Sequence, residues 1–206
     1  IILDETIFYP QWGGQPSDTG YITQWGNIFQ VEKVRFDPSG DVYHYGKFLS
    51  GNIHIWEKID ISIDRGQRIV NAKNHSAGHL IDIAIKNLGL WNLIPMKWYH
   101  FPDGCYVEYS GTIDDTEEKM IEKLSRELEK LIQEDIKIIV SSDGNNSPLW
   151  KIPRMITYEG YEWCGCGGTH IRSSGEIGEI EIKKMKKKGG NIRVSYEVKN
   201  KDDIEF

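Results

Sequence analysis

Asn74-His75-Ser76-Ala77-Gly78-His79-Leu80-Ile81-Asp82-Ile83-Ala84-Ile85-Lys86-Asn87-Leu88 is the stretch on which the reading of this chain turns. Ala77, Leu80, Ile81, Ala84, Ile85 and Leu88 recur at helical spacing and Gly89 comes next as a C-terminal cap, which predicts a helix over 74–88. On such a helix His75 and His79 share one face. Near the other end of the chain, Trp163-Cys164-Gly165-Cys166-Gly167-Gly168-Thr169-His170 repeats the four-residue ligand spacing, but it is too rich in glycine for a helix interior. It reads as a loop whose backbone approaches something closely. A loop that brings Cys166 and His170 to the histidine helix makes a single four-ligand site. Imidazole and thiolate suit Zn²⁺ better than Mg²⁺ or Ca²⁺, so the metal expected from the sequence is zinc. Cys164 is an alternative to Cys166, which is favoured because its spacing to His170 equals that of His75 to His79. The metallopeptidase pattern is absent, since no Glu stands after the first histidine.

Outward from these segments the texture is mixed. From Ile1 to about Ile63 short alternating runs such as 52–57 and 58–64 lie between breakers at Gly13-Gly14, Asp37-Pro38-Ser39-Gly40 and Ser50-Gly51-Asn52, as in a small β-barrel. The boundary between this barrel and the histidine helix is expected near Asp64. Strands are expected around Tyr106–Tyr109 and over Ile136–Val140. A second amphipathic helix is expected from Asp115 to about Gln133, with Asp115 and Glu118 as a capping box. Ile180, Ile182, Ile192, Val194 and Tyr196 alternate around Gly189-Gly190 as in a β-hairpin, and Lys184, Lys186, Lys187 and Lys188 give it a basic tip. That tip suits phosphate contacts, although lysines also commonly protect sheet edges. The net charge of −6 argues against indiscriminate nucleic-acid binding.

With 206 residues and 39% hydrophobic content the chain can bury a core. No apolar run reaches the roughly 20 residues that span a bilayer. Three cysteines, two of them in the glycine-rich loop, make a poor disulfide framework, which points to a reducing, cytoplasmic compartment. The opening Ile1-Ile2-Leu3 reads as the middle of a strand, with further residues expected before it.

The two ligand segments, together with Thr6-Ile-Phe-Tyr-Pro-Gln-Trp-Gly-Gly-Gln-Pro-Ser-Asp-Thr-Gly20, resemble the editing domain of alanyl-tRNA synthetase, and most closely its free-standing AlaX counterparts of medium length. The resemblance implies an α+β fold, with a β-barrel over 1–64 followed by an α/β-sandwich editing domain over 65–206. It implies an aminoacyl-tRNA deacylase with zinc on His75, His79, Cys166 and His170 and with aminoacylated tRNA(Ala) as partner. Neither a membrane nor a nucleotide cofactor is implied. The substrates implied are Ser-tRNA(Ala) and, as a second one, Gly-tRNA(Ala). In the family the segment around Gly14 and Gln15 sits over the editing pocket. Tyr99, His100 and Thr169 are candidates for reading the substrate hydroxyl, because a site built to satisfy a hydroxyl rejects its absence strongly. No catalytic side chain is singled out. The Gly13-Gly14-Gln15 triplet also occurs in release factors, but its flanks here match the editing pattern. Two readings stay open beside this one: a non-catalytic RNA-binding module with a structural zinc, and editing of Ser-tRNA(Thr).

Overall fold

The computed structural model describes residues 1–141 and 154–199, with the side chain of Lys188 outside that description. Four antiparallel strands open the chain: β1 (Gly20–Gln24), β2 (Asn27–Phe36), β3 (Val42–Ser50) and β4 (Asp60–Ile63). Their order is β3-β2-β1-β4. Phe8, Ile22, Phe29, Val31, Val34 and Val42 form the core beneath this sheet. The sheet is open where a closed barrel was expected, because β3 and the four-residue β4 are its two edges. The alternating run over 52–57 is also not a strand. The buried Gln24 amide takes its backbone partners, accepting from His54 N at 2.6 Å and donating to His54 O and Lys58 O. Trp56, at φ 65, turns the chain there.

The histidine helix, α1, runs from Arg65 to Asn87, starting well before Asn74. Its N-cap is Asp64, whose carboxylate accepts from Gln67 N. Gly66 and the β-branched Ile69-Val70 weaken the helical signal of the first turns, and packing overrides it. After α1 come β5 (Ile94–Tyr99), β6 (Cys105–Ser110), α2 (Glu117–Gln133), β7 (Ile138–Ser141), β8 (Met155–Tyr158), β9 (Cys164–Gly165), β10 (Glu179–Lys188) and β11 (Asn191–Lys199). The cap of α2 is Thr116, accepting from Lys119 N, in place of the expected box on Asp115; the Asp115 carboxylate instead pairs with Lys123. The strand expected from Ile136 begins at Ile138, because Ile136 N donates to Ser174 Oγ and so leaves the ladder.

A second sheet, ordered β10-β11-β6-β5, takes α1 and α2 on one face, and β7-β8-β9 form a small third sheet. Leu80, Ile81, Ile85, Leu124, Leu128 and Leu131 from the helices meet Val107, Tyr109, Val194 and Tyr196 from the sheet. The chain is therefore a mixed α and β fold with segregated elements, as the sequence led us to expect. Among the described residues no helix is long and apolar enough to cross a membrane.

One charged contact ties the N-terminal segment to α1. Asp18 is fully buried, and its carboxylate accepts from Tyr9 N at 2.6 Å and from Arg68 Nε at 2.8 Å, with a further contact from Arg68 Nη2. Arg68 also donates to Ile7 O, and Thr19 Oγ1 donates to the Gln67 amide. Removing one member strands the other as a buried charge. Arg68→Met is therefore expected to destabilise the protein by about 3–5 kcal/mol in denaturant unfolding, whereas an exposed change such as Lys58→Met leaves stability within about 0.5 kcal/mol.

Candidate metal centre

α1 presents His75 and His79 one turn apart, and the loop after β9 presents Cys166 and His170 to them. The ligand atoms of all four lie within 4.8 Å of one another. His75 Nε2 is 3.0 Å from Cys166 Sγ and 3.3 Å from His79 Nε2, while Cys166 Sγ is 3.3 Å from both His79 Nε2 and His170 Nε2. A tetrahedral ion with N at about 2.0 Å and S at about 2.3 Å separates its ligands by roughly 3.3–3.5 Å. The donor set and its spacing thus fit a metal ion. Cys164 stands outside the cluster, its Sγ 3.7 Å from His79 Nδ1, on the far side of that ring.

The electrostatics suit a cation in place of protons. Burial holds the His79 imidazole down to about 4, and His75 and His170 are lowered well below their ordinary value by burial first and neighbouring imidazoles second. All three are neutral donors at pH 7. Burial pushes the Cys166 thiol up, opposed by the Gly168 N–H and by the Arg154 guanidinium. A metal releases that proton by stabilising the thiolate.

The outer nitrogens of the rings are held unequally. His170 Nδ1 meets Ser76 Oγ at 3.1 Å, and Cys164 faces His79 Nδ1. His75 Nδ1 is buried without a hydrogen-bond partner, as are both amide atoms of Asn71. An unpaired buried polar group of this kind costs about 1–3 kcal/mol.

Glycines let the backbone touch these rings. A Cβ at Gly168 would lie 2.2 Å from His75 Cε1, and one at Gly78, inside α1, would lie 2.3 Å from His100 Cε1. His100 is buried, with its ring centre 4.5 Å from that of His75, and burial lowers it to about 3. Its Nδ1 is 2.7 Å from Tyr196 Oη, which donates its only proton to Asn74 O at 2.7 Å. His100 Nδ1 must therefore carry the proton in that pair, leaving Nε2 as a bare acceptor.

The N-terminal segment roofs the cluster. Trp12 packs on Gly167, Gly13 sits 3.8 Å from the His75 ring by its would-be Cβ, and Gly14, at φ 76 against Trp98 O, accepts from His100 N. Gln15 is fully buried; its amide donates to Thr169 Oγ1 and accepts from Thr169 N, both at 2.9 Å. Of the residues singled out in the sequence, His100, Thr169, Gly14 and Gln15 are thus gathered around the four ligands. Tyr99 is not. Strand alternation turns it to the outer face of the sheet, stacked on Phe101 and Tyr106, with its hydroxyl donating to Asp103.

Lys184 and Lys186 lie on that same outer face. Register aligns Lys184, Ser195, Tyr106 and Tyr99 in one row and Lys186, Arg193, Glu108 and Lys97 in the next. The hairpin tip with Lys187 lies at the end of the sheet away from His100. Arg154 and Ser76 were missed from sequence. Arg154 Nη1 donates to Gly168 O at 2.7 Å, fixing the loop, and nothing in its spacing pointed to this. Ser76 could have been suspected from its place between the histidines.

Gly78→Ala raises intrinsic helix propensity by about 1 kcal/mol, yet it is expected to destabilise by about 1–3 kcal/mol because His100 must move; thermal unfolding reads the sign. The metal-free protein should lose stability as pH falls from 6.5, where an unfolded His79 begins to bind protons, towards about 4, where the folded one does. Denaturant unfolding across that range, with and without chelator, checks this.

Residues 1–67 match the family model of class II (A) tRNA synthetases, and residues 154–194 match that of the threonyl and alanyl tRNA synthetase second additional domain. The alanyl-tRNA editing protein AlaX-M of Saccharolobus solfataricus is 30% identical over 217 residues, covering 97% of this chain and 89% of that protein. AlaX-L of Pyrococcus horikoshii is 27% identical over 93% of this chain, which spans 49% of its length. The alanine–tRNA ligase of Nostoc sp. is 30% identical over 88% of this chain, a match to 22% of the ligase. With a relative of that identity matched over nearly its full length, the chain belongs to the alanyl-tRNA editing protein family.

Proposed function

We propose that this protein is a trans-editing hydrolase that deacylates mischarged tRNA(Ala), with Ser-tRNA(Ala) and Gly-tRNA(Ala) as substrates, at a zinc site formed by His75, His79, Cys166 and His170. The observation that carries this reading is the convergence of four neutral or deprotonatable N and S donors beneath a glycine-rich roof. The chain is an aminoacyl-tRNA deacylase on this reading, working in the cytoplasm, with residues 1–64 forming the roof unit and 65–206 the editing unit.

A zinc ion held by these four residues would supply a fixed positive charge to the site, and Lewis acidity on expanding to a fifth ligand. The chain's own groups then orient the substrate. Thr169 Oγ1 accepts from Gln15, so its O–H is left to donate. His100 Nε2 is left to accept, because Tyr196 and Asn74 fix the proton on Nδ1. A donor and an acceptor beside the cluster are what a seryl hydroxyl requires, and an alanyl side chain leaves them unpaired. Gly14 and Gln15 serve substrate binding through these two residues, one holding His100 N and the other clamping Thr169. An ester of this kind needs little more than a positioned water.

The tRNA body is held, on this reading, by Lys184, Lys186, Lys187 and Lys188, and Tyr99 on the same outer face offers a stacking surface. None of the described ion pairs involves Lys184 or Lys186, whereas Lys183 and Lys199 are engaged by Glu181 and Glu197.

The closed four-ligand set also favours a second reading, a structural zinc in an RNA-binding module. Deacylation of Ser-, Gly- and Ala-tRNA(Ala) and of Ser-tRNA(Thr), run beside His79→Ala, separates the two. Selective hydrolysis of Ser- or Gly-tRNA(Ala), lost in a variant that still folds, supports editing. Survival of every ester with tRNA still bound supports the structural module, and selective loss of Ser from tRNA(Thr) moves the activity to that tRNA. Lys184→Glu with Lys186→Glu should weaken tRNA binding and lower the slope of log K against log salt by roughly one per lysine.

A further inference from the structure

Among the described residues, three buried side-chain polar atoms have no hydrogen-bond partner: Asn71 Oδ1, Asn71 Nδ2 and His75 Nδ1. They sit on two residues one turn apart in α1, with 0% and 2% exposure. Side chains at this spacing share a face, with Cβ atoms about 5–6 Å apart. Helical side chains also lean towards the N-terminus, which carries the His75 ring back over the turn of Asn71. The orphaned atoms are therefore neighbours on one face. A buried carboxamide with neither atom paired is a poor choice for a core position where Leu would pack at no such cost. Its presence calls for a state in which it is used.

The other two imidazoles of the cluster show what that use is. His170 has Ser76 and His79 has Cys164 against the nitrogen that faces away from the other ligands. His75 alone lacks such a partner. A neutral imidazole carries one proton, so once Nε2 gives its lone pair to a metal the proton must sit on Nδ1, a donor that needs an acceptor.

We propose that Asn71 is the positioning residue of His75, its Oδ1 accepting the Nδ1–H of the metal-bound imidazole and so fixing the ring's tautomer and direction. The inference rests on the metal reading of the cluster, and it deepens that reading by naming the missing outer contact.

The test uses the full chain with zinc affinity measured by chelator competition and the thermal midpoint measured without metal, for the wild type, Asn71→Leu and Asn71→Asp. Asn71→Leu should raise the metal-free midpoint, because an unpaired amide is gone, and should weaken zinc binding about 10–100-fold. Asn71→Asp keeps an acceptor and should hold zinc at least as tightly as the wild type. Opposite signs for stability and affinity in one variant, with rescue by the other, distinguish positioning from packing. Zinc affinity within twofold of wild type in Asn71→Leu overturns the proposal while leaving the metal reading intact. A wild type that binds no zinc overturns the metal reading, and the role of Asn71 with it.

Discussion

The site depends on backbone touching imidazole. At Gly168 and Gly78 the main chain lies so close to the rings of His75 and His100 that a Cβ would fall 2.2–2.3 Å from a ring carbon. No side chain larger than hydrogen permits that approach unless the ring moves against the other buried groups around it. Everything else is arranged around these two contacts. The loop carrying Cys166 and His170 can descend onto α1 because Gly168 has no side chain, and the His100 end of β5 can press on the same helix because Gly78 has none. Gly78 shows the trade plainly, since a helix interior gives up about 1 kcal/mol of propensity to hold it.

That geometry makes the N-terminal segment part of the site. Gln15 reaches residue 169 by two hydrogen bonds, and Trp12 covers Gly167. Asp18 fixes the same segment to Arg68 at the start of α1. Positioning of Thr169 and His100 thus comes from chain far away in sequence, through neutral amide contacts that would be weak if wet and are strong because they are buried. The roof and the metal loop hold each other in place.

Period and spacing decided how much of this was legible in the sequence. The helical period of Ala77–Leu88 exposed α1 and the shared face of its histidines, and the repeated four-residue spacing matched the two halves of the cluster that the structure brings together. The first turns of α1 were hidden because Gly66 and Ile69-Val70 speak against a helix, and the Asp64 cap with the bonds of Gln67 to Thr19 and of Arg68 to Asp18 holds them. The alternation over 52–57 misled, since one buried glutamine side chain can replace a whole strand partner. Tyr99 and His100 were taken together as neighbours in sequence, yet alternation sends them to opposite faces. Asn71 and Arg154 left no signature, and Ser76 only its place between the histidines, because an outer-contact role depends on a partner's orientation rather than on residue spacing.

The charge arrangement obeys the same constraints. Three imidazoles kept neutral by burial and one thiol kept protonated give a cluster with no net charge of its own, next to a single guanidinium at Arg154 that is already committed to Gly168 O. A dication brought there meets no competing buried acid in the ligand set, and exchange of the thiol proton for it leaves one net positive charge beneath the roof. The chain as a whole is acidic, at −6, but Lys184 and Lys186 lie on the opposite face of the sheet, in register with the strand that ends next to His100. Lysines thus lie on one side of the sheet and the ligand cluster on the other, and the chain passes between the two sides at the residue pair Tyr99 and His100.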